Sequence, residues 1–184
     1  STLIVLEGYC KSKDYDKLEE RIAELKSEMD DIYANGQLKN VMNISDAGLR
    51  NLIMLKIFEA KKYGIETSIS ISGKSFERFE SMKMLNALGA LLDNAVEAAS
   101  ESRKGMIKLE LEDNDVSTSL FIENSFGKKP DLNNIFKKGY STKSQSGLGL
   151  YYVNKIVSND ENTDIIINCS DNMFSVRILS DKKS

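Results

Sequence analysis

A chain of 184 residues with 41% apolar and 29% charged side chains can close one packed domain with a helical extension, and its composition is that of an ordinary globular protein. A formal charge of −3 supplies no general cationic field for a phosphate backbone, so no nucleic-acid partner is expected. The histidine count is zero, which removes imidazole acid–base catalysis, histidine–metal centres and Ser-His-Asp triads together. No run approaches the roughly 18 apolar residues that span a bilayer, and the patch at residues 3–6 is too short for a secretory signal. Any membrane attachment is therefore expected only through segments absent from this sequence. Cys10 and Cys169 have no metal-binding or redox spacing; they read as free thiols, with a disulfide between them as the alternative.

In chain order, residues 2–10 read as the end of a helix and 11–14 as a turn. From Tyr15 to Tyr33, apolar residues fall at Leu18, Ile22, Leu25, Met29 and Ile32, a heptad seam flanked by Glu19, Glu20, Arg21 and Lys26. The arm either dimerises through that seam or packs on its own domain. Asn35-Gly36 marks a break. A second helix is predicted over 45–62, with Leu49, Leu52, Ile53, Ile57 and Ala60 on one face and Tyr63-Gly64 closing it. Thr67, Ile69 and Ile71 alternate with serines and predict a strand ended by Gly73. Residues 85–100 are strongly helical, with Leu85, Leu88, Leu92, Ala95 and Ala99 as the core stripe. Ile107, Leu109 and Leu111, then Val116, Thr118, Leu120 and Ile122, alternate on either side of Asn114-Asp115 and predict a hairpin with one buried face. A helix over 148–158 and strands over 164–169 and 174–179, joined at 170–172, complete the chain. The expected fold is α+β: a two-layer sandwich of a mixed, mostly antiparallel sheet with helices on one face, preceded by a helical segment.

Three features carry chemistry. Asn94 lies about half a turn from the core stripe of its helix, bordered on its own face by Ala90 and Ala98, which leave space above the amide. Its neutral oxygen suits a hard cation such as Mg²⁺, which keeps most of its waters and takes few protein ligands; the alternative is a loop-capping asparagine. The second is Gly139-Tyr-Ser-Thr-Lys-Ser-Gln-Ser-Gly-Leu-Gly-Leu150, running straight into an amphipathic helix. Gly147 and Gly149 let backbone N–H groups approach an anion, and the helix start adds partial positive charge. Lys143 brings a full charge, Ser141 and Thr142 hydroxyl donors; a surface turn is the other reading. The third is Asn124, within Phe121-Ile-Glu-Asn-Ser125 where a strand ends, placed either to read a base edge or simply to make a turn.

In order, these segments resemble the GHKL, or Bergerat-fold, ATPases, and among them the catalytic domains of sensor histidine kinases. Leu88-Gly-Ala-Leu-Leu-Asp-Asn-Ala-Val-Glu-Ala98 looks like the N box, Ile135-Phe-Lys-Lys-Gly-Tyr-Ser-Thr-Lys143 like the F-box segment and lid, and Gly147-Leu-Gly-Leu150 like the last glycine box. The likeness runs from about Tyr15 to Leu179 and is nearest to the AgrC-type peptide-sensing kinases of Gram-positive bacteria, with dicarboxylate and citrate sensor kinases a step further away. It implies ATP and Mg²⁺ as cofactors, with Asn94 ligating the metal. Thr142, Lys143 and the backbone of Gly147, Leu148, Gly149 and Leu150 would hold the phosphates under a lid over 127–146, with Ser141 beside them. Adenine would enter between the sheet and the N-box helix. Residues 1–62 would be the C-terminal part of a dimerisation and phosphotransfer bundle, 63–184 the ATP-binding domain. A homodimer through the N-terminal helices, a response-regulator partner and a cytoplasmic position below a bacterial membrane sensor are implied with it.

Three departures from the family pattern matter. Asn124-Ser-Phe-Gly-Lys128 stands where Asp-x-Gly-x-Gly is usual, so an amide would read the adenine without a charge-assisted bond. Ala90 occupies the place where the hydrolytic relatives carry a glutamate; such general-base help is worth roughly 10²–10⁴ in rate, so hydrolysis is expected to be slow. Glu97, one turn on, reads as a surface residue. The phosphoacceptor histidine is missing, which implies that residues 1–10 end the helix that bears it, with a histidine-less pseudokinase as the alternative. A nucleotide-sensing scaffold and a GHKL hydrolase are the rival readings.

Overall fold

The computed structural model describes residues 8–34, 36–73, 75–137 and 149–182. The chain divides into two compact units, Ser1–Lys39 and Asn40–Ser184. In the first, residues 8–12 are helical and Lys13 stops them with a φ of 56°, its N–H donating to Cys10 O at 3.2 Å. Asp14 then accepts from Lys17 Nζ at 2.8 Å beside the start of helix α1, Tyr15–Ala34. Within the predicted seam Leu18 is half-buried and Ile22 is 39% exposed; the side chains of Leu25, Met29 and Ile32 lie outside the described set, as do residues 2–7, where the end of a helix was expected.

A short helix α2, Gln37–Met42, spans the division between the units, where only a break was expected. Helix α3, Ala47–Lys62, follows. The Asp46 side chain caps it by accepting from Leu49 N at 2.6 Å, and Gly64, at a φ of +66°, takes the left-handed position after Tyr63. Leu49, Ile53, Ile57 and Ala60 are buried, as the periodicity requires.

The remaining elements are β1 (Glu66–Ser72), α4 (Met82–Ser100), β2 (Met106–Asp113), β3 (Ser117–Ser125), α5 (Gly149–Val157), β4 (Thr163–Cys169) and β5 (Met173–Asp181). They build one five-stranded sheet in the order β1-β2-β3-β5-β4, parallel between β1 and β2 and antiparallel elsewhere. Helix α4 packs on β2 and β3, flanked by α3 against β1 and α5 against β4. The expected α+β two-layer sandwich with a mixed, mostly antiparallel sheet is therefore the fold observed. Its core lies between α4 (Leu88, Leu91, Leu92, Ala95) and the inward row Leu109, Leu120, Ile122, Val176 and Ile178. The open face of the sheet carries Phe121, with the Arg177 guanidinium 4.6 Å from its ring centre.

Local chemistry moves several predicted boundaries. Helix α4 begins three residues before the expected start because Ser81 caps it, accepting from Met84 N at 3.3 Å. Its buried face is wider than the predicted stripe, taking in Met84, Ala87, Leu91 and Val96, while Leu85 is only half-buried. Val116 was expected in β3 but is 71% exposed in the turn, where Asn114 Oδ1 accepts from Val116 N and Ser117 N, both at 2.9 Å. A single 3₁₀ turn, Glu77–Phe79, went unpredicted and anchors the fully buried Phe76 and Phe79.

Arg78 of that turn reaches Asp160, beyond the end of α5, at 3.3 Å. The Asp160 carboxyl is held below its ordinary 3.8 chiefly by the backbone N–H of Asn162, then by the Thr163 hydroxyl at 3.0 Å and the charge of Arg78. A carboxylate lowered in the folded state stabilises above its unfolded pKa and loses that contribution as pH falls through the folded value. Asp160 is one-third exposed, so screening keeps the effect below about 1 kcal/mol. Asp160→Asn is expected to melt below wild type at pH 7, and thermal denaturation should show the gap closing as the pH drops below 3.8.

Candidate functional site

The topology forces one end of α4 against one end of the sheet. Because β1 and β2 are parallel and joined through α4, the helix must return its C-terminus to the edge where β2 begins. Strand β3 is antiparallel to β2 and so ends at that same edge, with Ile107 paired to Asn124. The chain leaving β3 passes so close to the helix terminus that a Cβ on Gly127 would lie 2.5 Å from Glu101 O. Ser125 Oγ accepts from Met106 N at 2.9 Å and lies 2.8 Å from Ser102 Oγ, which closes the corner.

Beside this corner is a cavity of about 230 Å³. One wall is sheet: Ile122, Asn124, Phe174 and Val176. The other is helix α4: Leu91, Asn94, Ala95 and Ala98. The segment after β3 closes the side with Phe126, Gly127 and Lys128, and Leu150 comes in from the first turn of α5. An apolar slot with a few polar groups at its margin is the usual form of a small-molecule site.

Three of the sequence-predicted site residues meet here: Asn94, Asn124 and Leu150. Asn94 is exposed into the cavity, while its neighbour Asp93 turns toward α3 and pairs with Lys56. Burial disfavours the charge on Lys56, yet its hydrogen bonds to Asp93 and Glu59 hold its pKa above the ordinary lysine value. Asn124 is the last residue but one of β3, where the strand ends, 4% exposed and paired with Phe174. Gly149 opens α5, whose first N–H groups have no partner within the helix and, with the helix dipole, favour an anion at that end. Ser141, Thr142, Lys143, Gly147 and Leu148 lie outside the described residues, as do residues 138–146 of the predicted lid.

Sequence reasoning passed over Lys128 and Phe126, and it read Glu97 as plain surface although it also lines the cavity. The signal for Lys128 was its place three residues after the end of a strand, where a basic side chain can turn back over the mouth. Among the described lining residues Lys128 is the cation, against the carboxylates Glu97 and Glu101. If the ligand is a nucleoside triphosphate, Lys128→Ala should weaken it about two- to fivefold, since an exposed ion pair is worth at most ~1 kcal/mol. The loss should shrink in titrations at higher salt.

Comparison with known proteins agrees with this geometry. A family model described as the GHKL domain matches residues 79–180. A search of curated proteins gives no match. Among solved structures, the nucleotide-free catalytic domain of histidine kinase ThkA is similar at 23% identity with a TM-score of 0.58, over 72% of this chain and 89% of that one. The Acinetobacter baumannii histidine kinase AdeS is similar at 16% identity and a TM-score of 0.56, over 98% of this chain and 95% of its own. ThkA in complex with the response regulator TrrA is similar at 16% identity and a TM-score of 0.56, over all of this chain and 58% of that one. At these identities the likeness is one of fold. The family model spans α4, the site corner and the strands from β2 to β5, more than half of the chain, and the chain belongs to the GHKL domain family.

Proposed function

We propose that this chain is the ATP-binding catalytic part of a two-component sensor histidine kinase, of the AgrC-like peptide-sensing type. It would transfer the γ-phosphoryl group to a histidine that these 184 residues do not contain. The observation that carries the reading is the convergence of Asn94, Asn124 and the start of α5 on a single cavity between helix and sheet. An apolar cavity with a buried amide in its wall suits adenine; an exposed amide and a helix N-terminus along the same cavity suit a triphosphate.

The residues present fit Mg²⁺. Asn94 offers a hard, neutral amide oxygen exposed in the cavity, and a cation that keeps several waters needs only one or two protein ligands beside the phosphates. When bound it would neutralise charge on the phosphate oxygens. The chain's own residues do the rest. The walls of Ile122, Phe174 and Val176 exclude water from the base, Lys128 faces the anionic part, and the N–H groups opening α5 orient the phosphates. Ser141, Thr142, Lys143 and the backbone of Gly147 to Leu150 complete the phosphate grip in this proposal. Phosphoryl transfer asks for positioning and charge stabilisation rather than covalent chemistry, which suits a site with Ala90 in place of a general base.

We propose with it that residues 1–62 are the C-terminal part of the dimerisation and phosphotransfer segment and 63–184 the ATP-binding domain. The exposed Ile22 on the heptad seam supports pairing with a second copy. A response regulator would take the phosphate onward, and the natural setting would be the cytoplasmic side of a bacterial membrane sensor. Among the described residues no helix is long and apolar enough to cross a membrane.

The test is transfer in trans. The chain, a histidine-bearing helical bundle of the same family type and γ-labelled Mg-ATP should give acid-labile label on the bundle. An unlabelled bundle together with phosphate release faster than about one per minute, itself far below ordinary turnover, would replace the kinase reading with a hydrolase.

A further inference from the structure

The hydroxyls of Ser102 and Ser125 form a hydrogen-bond chain with one direction. Met106 N donates to Ser125 Oγ at 2.9 Å, Ser125 Oγ and Ser102 Oγ lie 2.8 Å apart, and Ser102 Oγ donates to Ala99 O at 2.9 Å. A hydroxyl has one proton, and Ser102 gives its own to Ala99, so the proton between the two serines belongs to Ser125. The longer approach of Ser125 Oγ to Met106 O, 3.5 Å, competes weakly for it. This chain runs from the last turn of α4 through the last residue of β3 to the first residue of β2, and Ser125 is 5% exposed.

What the chain holds in place is the Ser125 peptide, and its carbonyl accepts from Asn124 Nδ2 at 2.9 Å in a buried setting. A carbonyl only accepts, so the amide edge facing it must be the NH₂, and Oδ1 is the remaining acceptor of a side chain that lines the cavity. Rotating the amide by half a turn would set Oδ1 against Ser125 O, two acceptors without a proton between them.

We propose that Ser102 and Ser125 are positioning residues that lock the Asn124 amide with Oδ1 as the group offered to the base. The cavity then selects a base with an exocyclic amino group at that place over one with a carbonyl. The inference rests on the nucleotide-binding reading above. It also gives residue 124 an unusual sign: a carboxylate there gains charge but meets the Ser125 carbonyl with an acceptor, so Asn124→Asp weakens binding instead of strengthening it.

The experiment is calorimetric titration of the full chain with Mg-ATP and with Mg-ITP, whose hypoxanthine carries a carbonyl in place of the amino group. Wild type should prefer ATP by about 10- to 100-fold, the scale of a buried acceptor left facing an acceptor. Ser102→Ala should cut that preference by about threefold or more, through weaker ATP binding and not through ITP. Asn124→Asp should bind ATP less tightly than wild type. Equal affinity of wild type for the two nucleotides, equal weakening of both by Ser102→Ala, or tighter ATP binding by Asn124→Asp would each overturn the inference and leave the nucleotide site standing. Failure of wild type to bind either nucleotide would overturn the nucleotide reading and this inference with it.

Discussion

Replacing Asn94 with alanine is expected to reduce magnesium-dependent ATP affinity by about 100-fold or more, because losing even a supporting partner of a metal site costs 10- to 100-fold. The fold should not suffer. Asn94 is exposed, the buried stripe of α4 runs through Leu91, Leu92, Ala95 and Val96, and Asp93, not Asn94, makes the ion pair to Lys56. Alanine is also the better helix former by up to about 0.7 kcal/mol, so the melting temperature should hold or rise slightly. Titration with and without EDTA, beside thermal denaturation, separates the two effects. Unchanged affinity in a folded Asn94→Ala protein would mean that the metal and phosphates sit elsewhere.

Much of this site was legible in the sequence because it rides on long periodic elements. Helix α4 shows its buried face through Leu88, Leu92, Ala95 and Ala99, and once that face is known Asn94 must point elsewhere. The hairpin β2–β3 announces its register through strict alternation, which places Asn124 on the same inward face as Leu120 and Ile122. What escaped was short or tertiary. The six residues of α2 and the three of the 3₁₀ turn are too few to establish a period, although Leu38, Val41, Phe76 and Phe79 are all buried. The junction of Glu101 with Gly127 and of Ser102 with Ser125 joins residues more than 20 apart in sequence, and nothing local in either partner signals the other. Lys128 became a site residue only because that junction turns its segment over the cavity mouth.

Gly127→Ala is the second change with a large expected effect, and it tests the junction itself. The added Cβ would sit 2.5 Å from Glu101 O and 3.1 Å from Glu101 C, both backbone atoms at the end of α4 that no rotamer change can move aside. Forcing one methyl into a packed contact costs about 1–3 kcal/mol, and at roughly 2–4 °C per kcal/mol for a chain of this size the melting temperature should fall by about 2–12 °C. Gly8→Ala is the matching control, since a Cβ there meets nothing within 4 Å. Relief of the clash must push the exit of β3 away from α4, and that exit carries Phe126 and Lys128, two parts of the cavity wall. Nucleotide affinity should therefore fall together with stability in Gly127→Ala, whereas Asn94→Ala uncouples the two. A Gly127→Ala protein that melts and binds like wild type would show that the helix end and the strand exit are not in contact, and the cavity they frame would lose its fixed shape.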